Sequence, residues 1–426
     1  MSEITTDDAG QAASAPARLD HRLRRMTGRD PDEPHRSATP LELFFDLVFV
    51  AAFSQAGTQT AHLLELGHFV PATFGFVFAV FAIAWAWINY AWLASAYDND
   101  DVFFRVATMT QMIGVIVLAL GLPATFTSID EGGELENDVV VIGYVIMRVA
   151  VVALWLRAAR HDPAHRRTAL AYAVLVSIAQ AGWIGLLVVD PPLAGAVVAW
   201  VLLVAFELAG PLMAERFGGR TPWHAHHIAE RYGLLVIITL GEIVLGSILA
   251  ISAVVEEQGW DLEAVLVTVG GTMLAFGLWW VYFIMPSGKV LARHRERGWV
   301  WGYGHIVLFG SLAATGAGLH VAAYVIEGVA HIDDTTALLT VVVPVGVFSF
   351  GLFALYTLLL REFDPFHIGL FLASMVPLVA AVWGVASGAS MGTGIVIAAL
   401  SPVVVVVGYE TVGHRHQAEA LRRALA

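Results

Sequence analysis

The sequence predicts an all-α membrane protein, a polytopic bundle of about twelve transmembrane helices. Of its 426 residues, 58% are hydrophobic and only 14% are charged, whereas soluble domains carry about 25% charged residues. The mean hydropathy is +0.72. Apolar runs recur along the chain, and many reach the roughly 20 residues that a helix needs to cross a bilayer. The chain has no cysteine, which excludes disulfides, thiolate metal sites and cysteine nucleophiles.

Apolar runs occupy most of the chain between residues 39 and 411. Several are rich in Val and Gly, which is ordinary for membrane helices. We predict transmembrane helices near residues 41–65, 70–97, 102–122, 139–159, 168–189, 193–211, 228–253, 263–286, 299–326, 337–360, 367–387 and 391–411.

These runs predict one transmembrane domain, 39–411, with two related halves at about 39–211 and 224–411. The first run of each half opens on an acidic motif, and the second is rich in tryptophan. The alternative is that two unrelated sets of helices share a membrane composition. Residues 1–38 are polar, without the apolar core of a signal peptide, and are expected to form a disordered cytoplasmic tail. Residues 412–426 are expected to form a cytoplasmic C-terminal tail.

The basic residues predict that both termini are cytoplasmic. Apart from Arg148, every Lys and Arg falls on the side that both termini share, while the opposite loops carry acids, as in 130–138. The positive-inside rule assigns the basic side to the cytoplasm. The basic groups are short and lie beside the membrane, so the expected partner is the lipid bilayer and no nucleic acid is expected.

The run 226–242 predicts a polar seam along one face of the seventh helix. At about 100° per residue, Arg231 and Glu242 point almost the same way, and His227 precedes Arg231 by one turn. A charge as deep as Glu242 costs roughly 2.5 kcal/mol or more unless it faces the bundle interior. Glu230 belongs to the cytoplasmic mouth of the same helix. The seam is either a functional polar path or a structural ion pair with a neighbouring helix.

Arg148 is the one basic residue in the interior of a run, and Glu242 is its predicted partner. Binding of a proton or substrate at Glu242 could then release Arg148. Alternatively, the pair could have the structural role of holding the two halves together. Glu42 and Asp46 are four residues apart and share a helix face. They predict a proton or cation site at a cytoplasmic gate. Alternatively, Glu42 stabilises the helix N-terminus while Asp46 pairs an arginine elsewhere.

Uncharged polar and aromatic side chains extend the set of candidates for a substrate or ion pathway. The amides Gln55, Gln111 and Gln180 lie inside runs, where they either hydrogen-bond neighbouring helices or line a polar path. Trp280 and Tyr282 either anchor at the interface or stack on an organic substrate or cation.

A histidine near the cytoplasmic end of the ninth run, His305, is a candidate partner for Glu230 or Asp46, or it makes a packing hydrogen bond. The histidine cluster 224–227 lacks the full ligand patterns of metal sites, so no metal is expected. Nucleotide-binding and hydrolase motifs are also absent, so no cofactor is expected and enzymatic activity is left uncertain.

Two motifs carry a resemblance to a known family. The segment 39–50, TPLELFFDLVFV, resembles the opening signature of the bacterial low temperature requirement A family, and 227–242, HIAERYGLLVIITLGE, resembles its second signature. The segment 279–283 and the Gly-rich stretch after His305 also fit. The resemblance covers most of 39–411. It implies a multi-pass protein of the bacterial inner membrane, in a family named for growth in the cold, and it implies no particular biochemical activity.

Together these features predict a secondary transporter or ion-coupled carrier of an unknown small molecule or ion. One alternative is a non-transporting sensor or scaffold for cold or envelope stress, and another is a membrane-embedded lipid-modifying enzyme. A carrier should have a continuous cavity lined by Arg148, Glu242 and the glutamines. A scaffold should have tightly paired, dry charges, and a lipid enzyme should open laterally near the headgroups. The sequence leaves the oligomeric state open.

Overall fold

The computed structural model describes residues 23–34 and 36–426 of the chain. Over these residues all regular structure is helical, and twelve helices are long and apolar enough to cross a membrane, which confirms the predicted fold class. The helices in chain order are α1 (Pro40–Glu65), α2 (Phe69–Tyr97), α3 (Val102–Glu131), α4 (Asp138–His161), α5 (Arg166–Val189), α6 (Leu193–Gly218), α7 (Ala225–Gln258), α8 (Leu262–Phe283), α9 (Ser287–Arg293), α10 (Gly298–Ile326), α11 (Asp334–Leu360), α12 (Pro365–Ala386), α13 (Met391–Gly408) and α14 (His414–Leu425). A 3₁₀ turn (Arg295–Arg297) precedes α10, and a π-helix (Tyr409–Gly413) joins α13 to α14.

Capping side chains explain several helix starts. Thr39 forms a capping box with Glu42 at the start of α1, and Asp101, Asp261, Asp333 and Ser390 cap α3, α8, α11 and α13 through their side chains. Such caps satisfy backbone N–H groups that have no partner within the helix. The helices α3 and α6 extend well beyond their predicted ends at 122 and 211. α3 continues through Pro123, and α6 continues through Pro211. Membrane helices tolerate proline where neighbouring groups satisfy the freed carbonyls.

The two halves share a packing order. In each half the first helix packs against the second and third spans, the third against the fourth, the fourth against the fifth and the fifth against the sixth. Contacts of α1 with α7 and α10 join the halves. The second half also packs α8 closely against α13, which has no counterpart of that extent between α2 and α6, and the two related halves stay a prediction.

Residues before α1 lie across one end of the bundle, where we had expected a disordered tail up to residue 38. Met26 is fully buried, and the Gly28 amide donates to Asp162. The Arg36 guanidinium donates to the carbonyls of Ala94 and Ser95 at the end of α2. A polar segment is ordered here because its groups satisfy backbone atoms at the helix ends. Residues 1–22 and 35 of the expected tail lie outside the described residues.

The two ends of the bundle differ in charge. We call the end that holds residues 23–34, 36–39 and α14 the basic end, and the opposite end, which holds the α3–α4 loop, the acidic end. The segment after α13 is not an extended tail. It forms α14, which packs against other helices at the basic end. The Gln417 amide donates to the Ile284 carbonyl, and His294 contacts the Ala424 carbonyl.

Candidate functional site

Arg231 on α7 binds two carboxylates of α1 near the basic end. Its Nη1 lies 2.7 Å from Glu42 Oε1, and its Nη2 lies 2.5 Å from Asp46 Oδ1. All three side chains are fully buried. Trp87 of α2 donates its indole N–H to Asp46 Oδ1 at 2.7 Å. We call Glu42, Asp46, Trp87, His227 and Arg231 the Arg231 cluster.

Helical spacing on both helices builds this cluster. Glu42 and Asp46 are one turn apart on α1, as His227 and Arg231 are on α7, so two pairs meet where the helices touch. Glu42 completes the capping box with Thr39, which agrees with the interpretation that places it at the helix N-terminus, and it also binds Arg231. Asp46 pairs an arginine of another helix, which was one of the two alternatives.

The formal charges of the Arg231 cluster do not balance when His227 is neutral, because two carboxylates face one guanidinium. His227 Nε2 lies 3.2 Å from Glu42 Oε2, and a carboxylate only accepts, so Nε2 carries the hydrogen. His227 Nδ1 has no hydrogen-bond partner in the part of the chain that is described. A proton on Nδ1 would bring the cluster to neutrality. The geometry can therefore hold one proton more or less at this place.

Glu242 lies farther along the same face of α7, buried with 2% of its surface exposed. Ser54 of α1 hydrogen-bonds its side chain, and Oε1 has no partner among the described residues. Gly316 of α10 brings that helix directly against the Glu242 backbone. The predicted seam of His227, Arg231 and Glu242 therefore does face the bundle interior.

Arg148 does not pair with Glu242, so that prediction was wrong. Its Nη2 lies 3.3 Å from Glu207 Oε2 of α6, and both side chains are buried. The reason is the packing order: α4 lies against α2, α3 and α5, whereas α7 lies against α1, α8 and α10. Arg148 thus finds an acid within its own half.

Glu207 of α6 accepts hydrogen bonds from three other helices, α2, α4 and α5. Trp85 donates to Oε2 at 2.8 Å. Tyr144, Trp183 and Gln180 donate to Oε1 at 3.2, 3.3 and 3.4 Å. Arg148 also contacts the Tyr144 hydroxyl through Nη2. We call Trp85, Tyr144, Arg148, Gln180, Trp183 and Glu207 the Glu207 cluster.

Sequence reasoning missed Glu207, although a signal was present. It is the one charged residue in the run 193–211. An acid in such a position is costly unless it is paired inside the bundle, and this is the same argument that singled out Glu242. Applied to every run, it would have offered Arg148 a second candidate partner.

Four small cavities lie side by side between α2 and the helices α4–α6. Residues that line two cavities at once show the order: Phe78 and Trp200 link the first two, and Asn89, Tyr172 and Pro211 link the last two. Tyr144 lines the second cavity and Glu207 the third, so the Glu207 cluster separates them. The cavities have volumes of about 10 or 20 Å³ each, room for about one water. We call this series the cavity row.

The remaining predicted positions do not join these clusters. Trp280 is 37% exposed and packs edge-on against Phe276 on the outside of the bundle, which favours an interfacial anchor. Glu230 is exposed at the start of α7. Gln55 is half-buried on α1, and Gln111 is buried and donates to the Ala107 carbonyl of its own helix.

His305 contacts neither Glu230 nor Asp46, so its two predicted partners were wrong. Its Nδ1 lies 2.7 Å from the Trp301 carbonyl, and its Nε2 lies 3.0 Å from the Tyr282 hydroxyl. A carbonyl only accepts, so Nδ1 carries the hydrogen and Nε2 accepts from Tyr282. This is the packing alternative, with a neutral histidine that uses both ring nitrogens. Within the described ranges, no group of three or more His, Asp or Glu side chains is arranged to hold a metal ion.

Comparison with known proteins adds a family match. A family model described as bacterial low temperature requirement A protein (LtrA) matches residues 37–406. An uncharacterized protein of Rhizobium meliloti (strain 1021) is 28% identical over 294 residues, which cover 65% of this chain and 67% of that protein. No solved structure matches the chain. The matched range includes the Arg231 cluster, the Glu207 cluster and Glu242.

Proposed function

The chain belongs to the bacterial low temperature requirement A family, and we propose that this member is a secondary carrier of a small solute across the bacterial plasma membrane. The observation that carries the proposal is the cavity row, which follows α2 and passes the Glu207 cluster. Membrane segments rarely bury ionisable groups without a functional reason. A row of cavities beside such a group is the arrangement expected of a path in its closed state.

The helices that form one wall of the cavity row are among the least embedded in the bundle, and α12, which lies away from the row, is as little buried as α6. Only 22% of the apolar stretch of α6 and 33% of that of α5 are buried, against 83% for α10. Elements with few buried contacts move at the lowest free-energy cost. We propose that α5 and α6 rock against α2 and open the row to one side at a time.

Glu242 supplies a site for ion coupling. It is a buried carboxylate, and no cationic side chain is hydrogen-bonded to it in the described residues. Such a group binds a proton more readily than a paired carboxylate does. Glu242 lies between α1, α7 and α10, where the two halves meet. Protonation of Glu242 can therefore change how the halves pack. In this proposal a proton at Glu242 drives the movement of α5 and α6.

Transport by reconstituted protein tests the proposal. Proteoliposomes containing a pH-sensitive dye are exposed to a panel of organic anions, organic cations and neutral solutes. We expect one class to drive proton flux, Glu242→Gln to abolish that flux, and the control Glu256→Gln, in the α7–α8 region at the acidic end, to keep it. Folded protein that moves no solute of the panel, or flux that survives in Glu242→Gln, counts against the corresponding part of the proposal.

A cross-link tests the path itself, and the absence of native cysteine makes it clean. The rings of Phe78 and Trp200 face each other across the row at 5.9 Å. Phe78→Cys with Trp200→Cys should allow a bifunctional methanethiosulfonate to join the two helices and stop transport until a reductant cleaves the cross-link. The matched control joins α11 to α12 through Phe350→Cys and Phe371→Cys, whose native rings lie 6.2 Å apart. Equal inhibition by both cross-links would contradict a path along the cavity row.

The proposal places the basic end in the cytoplasm, because Lys and Arg collect there. A membrane-impermeant maleimide should label Gly133→Cys, in the α3–α4 loop, in intact cells. It should label Arg415→Cys on α14 only after the cells are permeabilised. The reverse pattern would refute the orientation without affecting the cavity row.

A non-transporting scaffold is the second candidate, and the Arg231 cluster favours it. Its ion pairs are closed and fully buried, as expected of charges that hold helices together. A larger cavity, about 50 Å³, lies apart from the cavity row at the basic ends of α8, α11, α12 and α13. A scaffold predicts no flux and no effect of the Phe78–Trp200 cross-link on growth in the cold, so the same variants separate the two functions.

A further inference from the structure

Arg148 has more hydrogen-bond donors than the protein uses. Its guanidinium is buried with 1% of its surface exposed, and only Nη2 has partners, in Glu207 and Tyr144. Nε and Nη1 have no acceptor in the described part of the chain. A guanidinium carries five N–H bonds, one on Nε and two on each Nη. Three of the five therefore point to no protein acceptor.

Glu207, in contrast to Arg148, uses its hydrogen-bonding capacity fully. Its two oxygens accept from Trp85, Tyr144, Gln180 and Trp183 in addition to Arg148. A carboxylate offers about four lone-pair positions. Tyr144, Gln180 and Trp183 donate to Oε1 and Trp85 donates to Oε2, so each oxygen keeps at least one donor without Arg148. Arg148 can therefore turn away from Glu207 and leave the carboxylate solvated by neutral donors.

The hydrogen-bonding capacity of the Glu207 cluster decides which ligand it fits. The unused groups are three N–H bonds of Arg148 against one acceptor, the Gln180 carbonyl oxygen. A cationic ligand would add donors beside unused donors and would find Glu207 already occupied. A ligand rich in acceptors with a negative charge would satisfy Arg148, since charge-assisted pairs of guanidinium with carboxylate are among the strongest hydrogen bonds.

The cavities on both sides of the cluster describe the rest of the ligand. The rings of Phe78, Phe81 and Trp200 line the second cavity of the row. The rings of Trp155, Tyr172 and Tyr303 line the fourth cavity, nearer the basic end. The cavity beside Phe78 has an entirely apolar lining. Aromatic side chains favour flat or apolar groups over hydrated ions. An inorganic anion would bind Arg148 but would gain nothing from these walls.

We infer that the solute is a small organic carboxylate with an apolar or aromatic body, whose carboxylate binds Arg148 while its body occupies the cavity row. This inference rests on the proposed carrier function for its transport aspect, but the binding site can be tested alone. When the solute binds, Arg148 exchanges Glu207 for the solute carboxylate, and the neutral donors keep Glu207 satisfied. The single unused acceptor at Gln180 accommodates one hydroxyl or amine on the solute.

Binding is measured first, as the shift of the thermal unfolding midpoint of full-length protein in detergent. The probes are phenylacetate, its neutral isostere phenylacetamide, the cation phenethylamine, and sodium chloride or phosphate at matched ionic strength. We expect only phenylacetate to raise the midpoint. A shift of the same size with chloride or phosphate would overturn the organic body, and a shift with phenethylamine alone would overturn the anionic charge.

The variants separate binding from folding. Arg148→Gln combined with Glu207→Gln removes both charges of the ion pair, so no unpaired charge is left and the variant should fold. We expect it to respond at least tenfold more weakly to phenylacetate. Arg148→Lys keeps the charge but has fewer donors, so an intermediate loss is expected. The matched control is Arg105→Gln, which removes an exposed arginine that pairs with Asp100 and should respond as the natural protein does. Unchanged binding in the double variant would overturn the site.

Transport in the same proteoliposomes keeps the two proposals distinct. Binding of phenylacetate at Arg148 without any flux would retain the site and reject the carrier. Flux of phenethylamine or phenylacetamide that is indifferent to Arg148→Lys would retain the carrier and reject the carboxylate. Flux of phenylacetate that is lost in Arg148→Lys, with protein still folded, is the result expected if both hold.

Discussion

Arg231 is the residue on which contact between the halves depends most. One guanidinium neutralises Glu42 and Asp46, which repel each other at one-turn spacing on α1. The ring of Trp87 lies 5.5 Å from its guanidinium carbon and adds a cation–π contact. Buried ion pairs contribute little net stability when complete, but removal of one partner leaves charges that nothing compensates.

We therefore predict that Arg231→Met destabilises the protein severely, by about 3–5 kcal/mol. The triple variant Arg231→Met, Glu42→Gln, Asp46→Asn should recover much of the loss, because no charge is then left unpaired. Thermal unfolding followed by size-exclusion chromatography measures both. The exposed pair of Arg105 and Asp100 is the control, and Arg105→Gln should change stability by less than about 1 kcal/mol. An Arg231→Met protein as stable as the natural one would show that the cluster does not hold α1 to α7.

Asp98 is a buried acid in the loop between α2 and α3, outside the membrane spans. Burial raises the pKa of its carboxyl from 3.8 to about 6, and the Glu42 charge acts in the same direction. The Asp100 amide and Arg36 oppose the shift in pKa. The folded protein thus holds this proton more tightly than the unfolded chain does. Its contribution to stability is complete below about pH 4 and is lost as the pH rises through about 6.

The unfolding midpoint should accordingly fall between pH 5 and pH 7.5, and Asp98→Asn should reduce that fall. The amide imitates the protonated acid and can still accept from the Asp100 amide, so we expect a gain of about 1–3 kcal/mol at pH 7.5 and almost none at pH 4.5. Glu134→Gln, at an exposed position in the α3–α4 loop at the opposite end of the bundle, is the control and should keep the natural pH dependence. An identical pH profile for Asp98→Asn and the natural protein would rule out this titration.

Single residues were predictable in their facing direction but not always in their partners. Periodicity placed His227, Arg231 and Glu242 correctly on the interior face of α7. It could not tell that Arg148 meets Glu207, because one helix's pattern shows which side is buried and not which helix lies there. Asp46 and Arg231 were both singled out, yet their contact depends on α1 and α7 being neighbours across 185 residues of chain.

At the scale of elements, glycine sets how closely α3 and α4 approach. A Cβ on Gly143 would lie 2.4 Å from the Leu118 nitrogen and 2.6 Å from the Gly114 carbonyl oxygen. These neighbours are backbone atoms, which cannot move aside as the end of a side chain can. Small residues at such crossings let membrane helices pack by van der Waals contact.

Gly143→Ala should therefore force α3 and α4 apart and destabilise the protein by about 1–3 kcal/mol. The control is Gly185→Ala on α5, where a new Cβ would meet nothing within 4 Å. That change should be neutral or stabilise by up to about 1 kcal/mol, because alanine favours a helix over glycine. Thermal unfolding in detergent compares the two, and equal effects would show that the α3–α4 contact is not limiting.

The helices themselves were the most predictable part of the fold, because length and apolarity decide what can cross a bilayer. Errors arose where a local signal was overridden. The third and sixth runs were predicted to end at 122 and 211, yet α3 and α6 continue through Pro123 and Pro211. The polar segment before α1 suggested disorder, yet it is ordered by carbonyls at the end of α2, whose availability depends on tertiary structure. The cavity row was not predictable for the same reason.

For the whole molecule, the packing order confines most contacts to neighbouring helices within a half. The main exceptions join α1 and α2 to α7 and α10 and include the Arg231 cluster and Glu242, and Tyr303 of α10 donates to the Leu208 carbonyl of α6. In the proposed carrier, protonation of Glu242 therefore acts on the cavity row through α2, which contacts α7 and α10 in the other half and α4 in its own.

The Arg231 cluster also has a consequence for biosynthesis. The ribosome delivers α1 first, and α1 is the least apolar of the twelve spans. Its two carboxylates must wait for a guanidinium that lies 185 and 189 residues later. Until α7 is made, insertion of α1 carries the cost of unpaired charge.

We predict that a chain ending at residue 222 inserts α1 less completely than one ending at 258. Labelling of Val70→Cys from outside the cell measures the insertion. Glu42→Gln with Asp46→Asn should restore labelling in the shorter chain, and full labelling of the unaltered short chain would show that α1 needs no partner. On this view the first transmembrane helix, α1, becomes stably inserted in the membrane only after half of the protein has been synthesised.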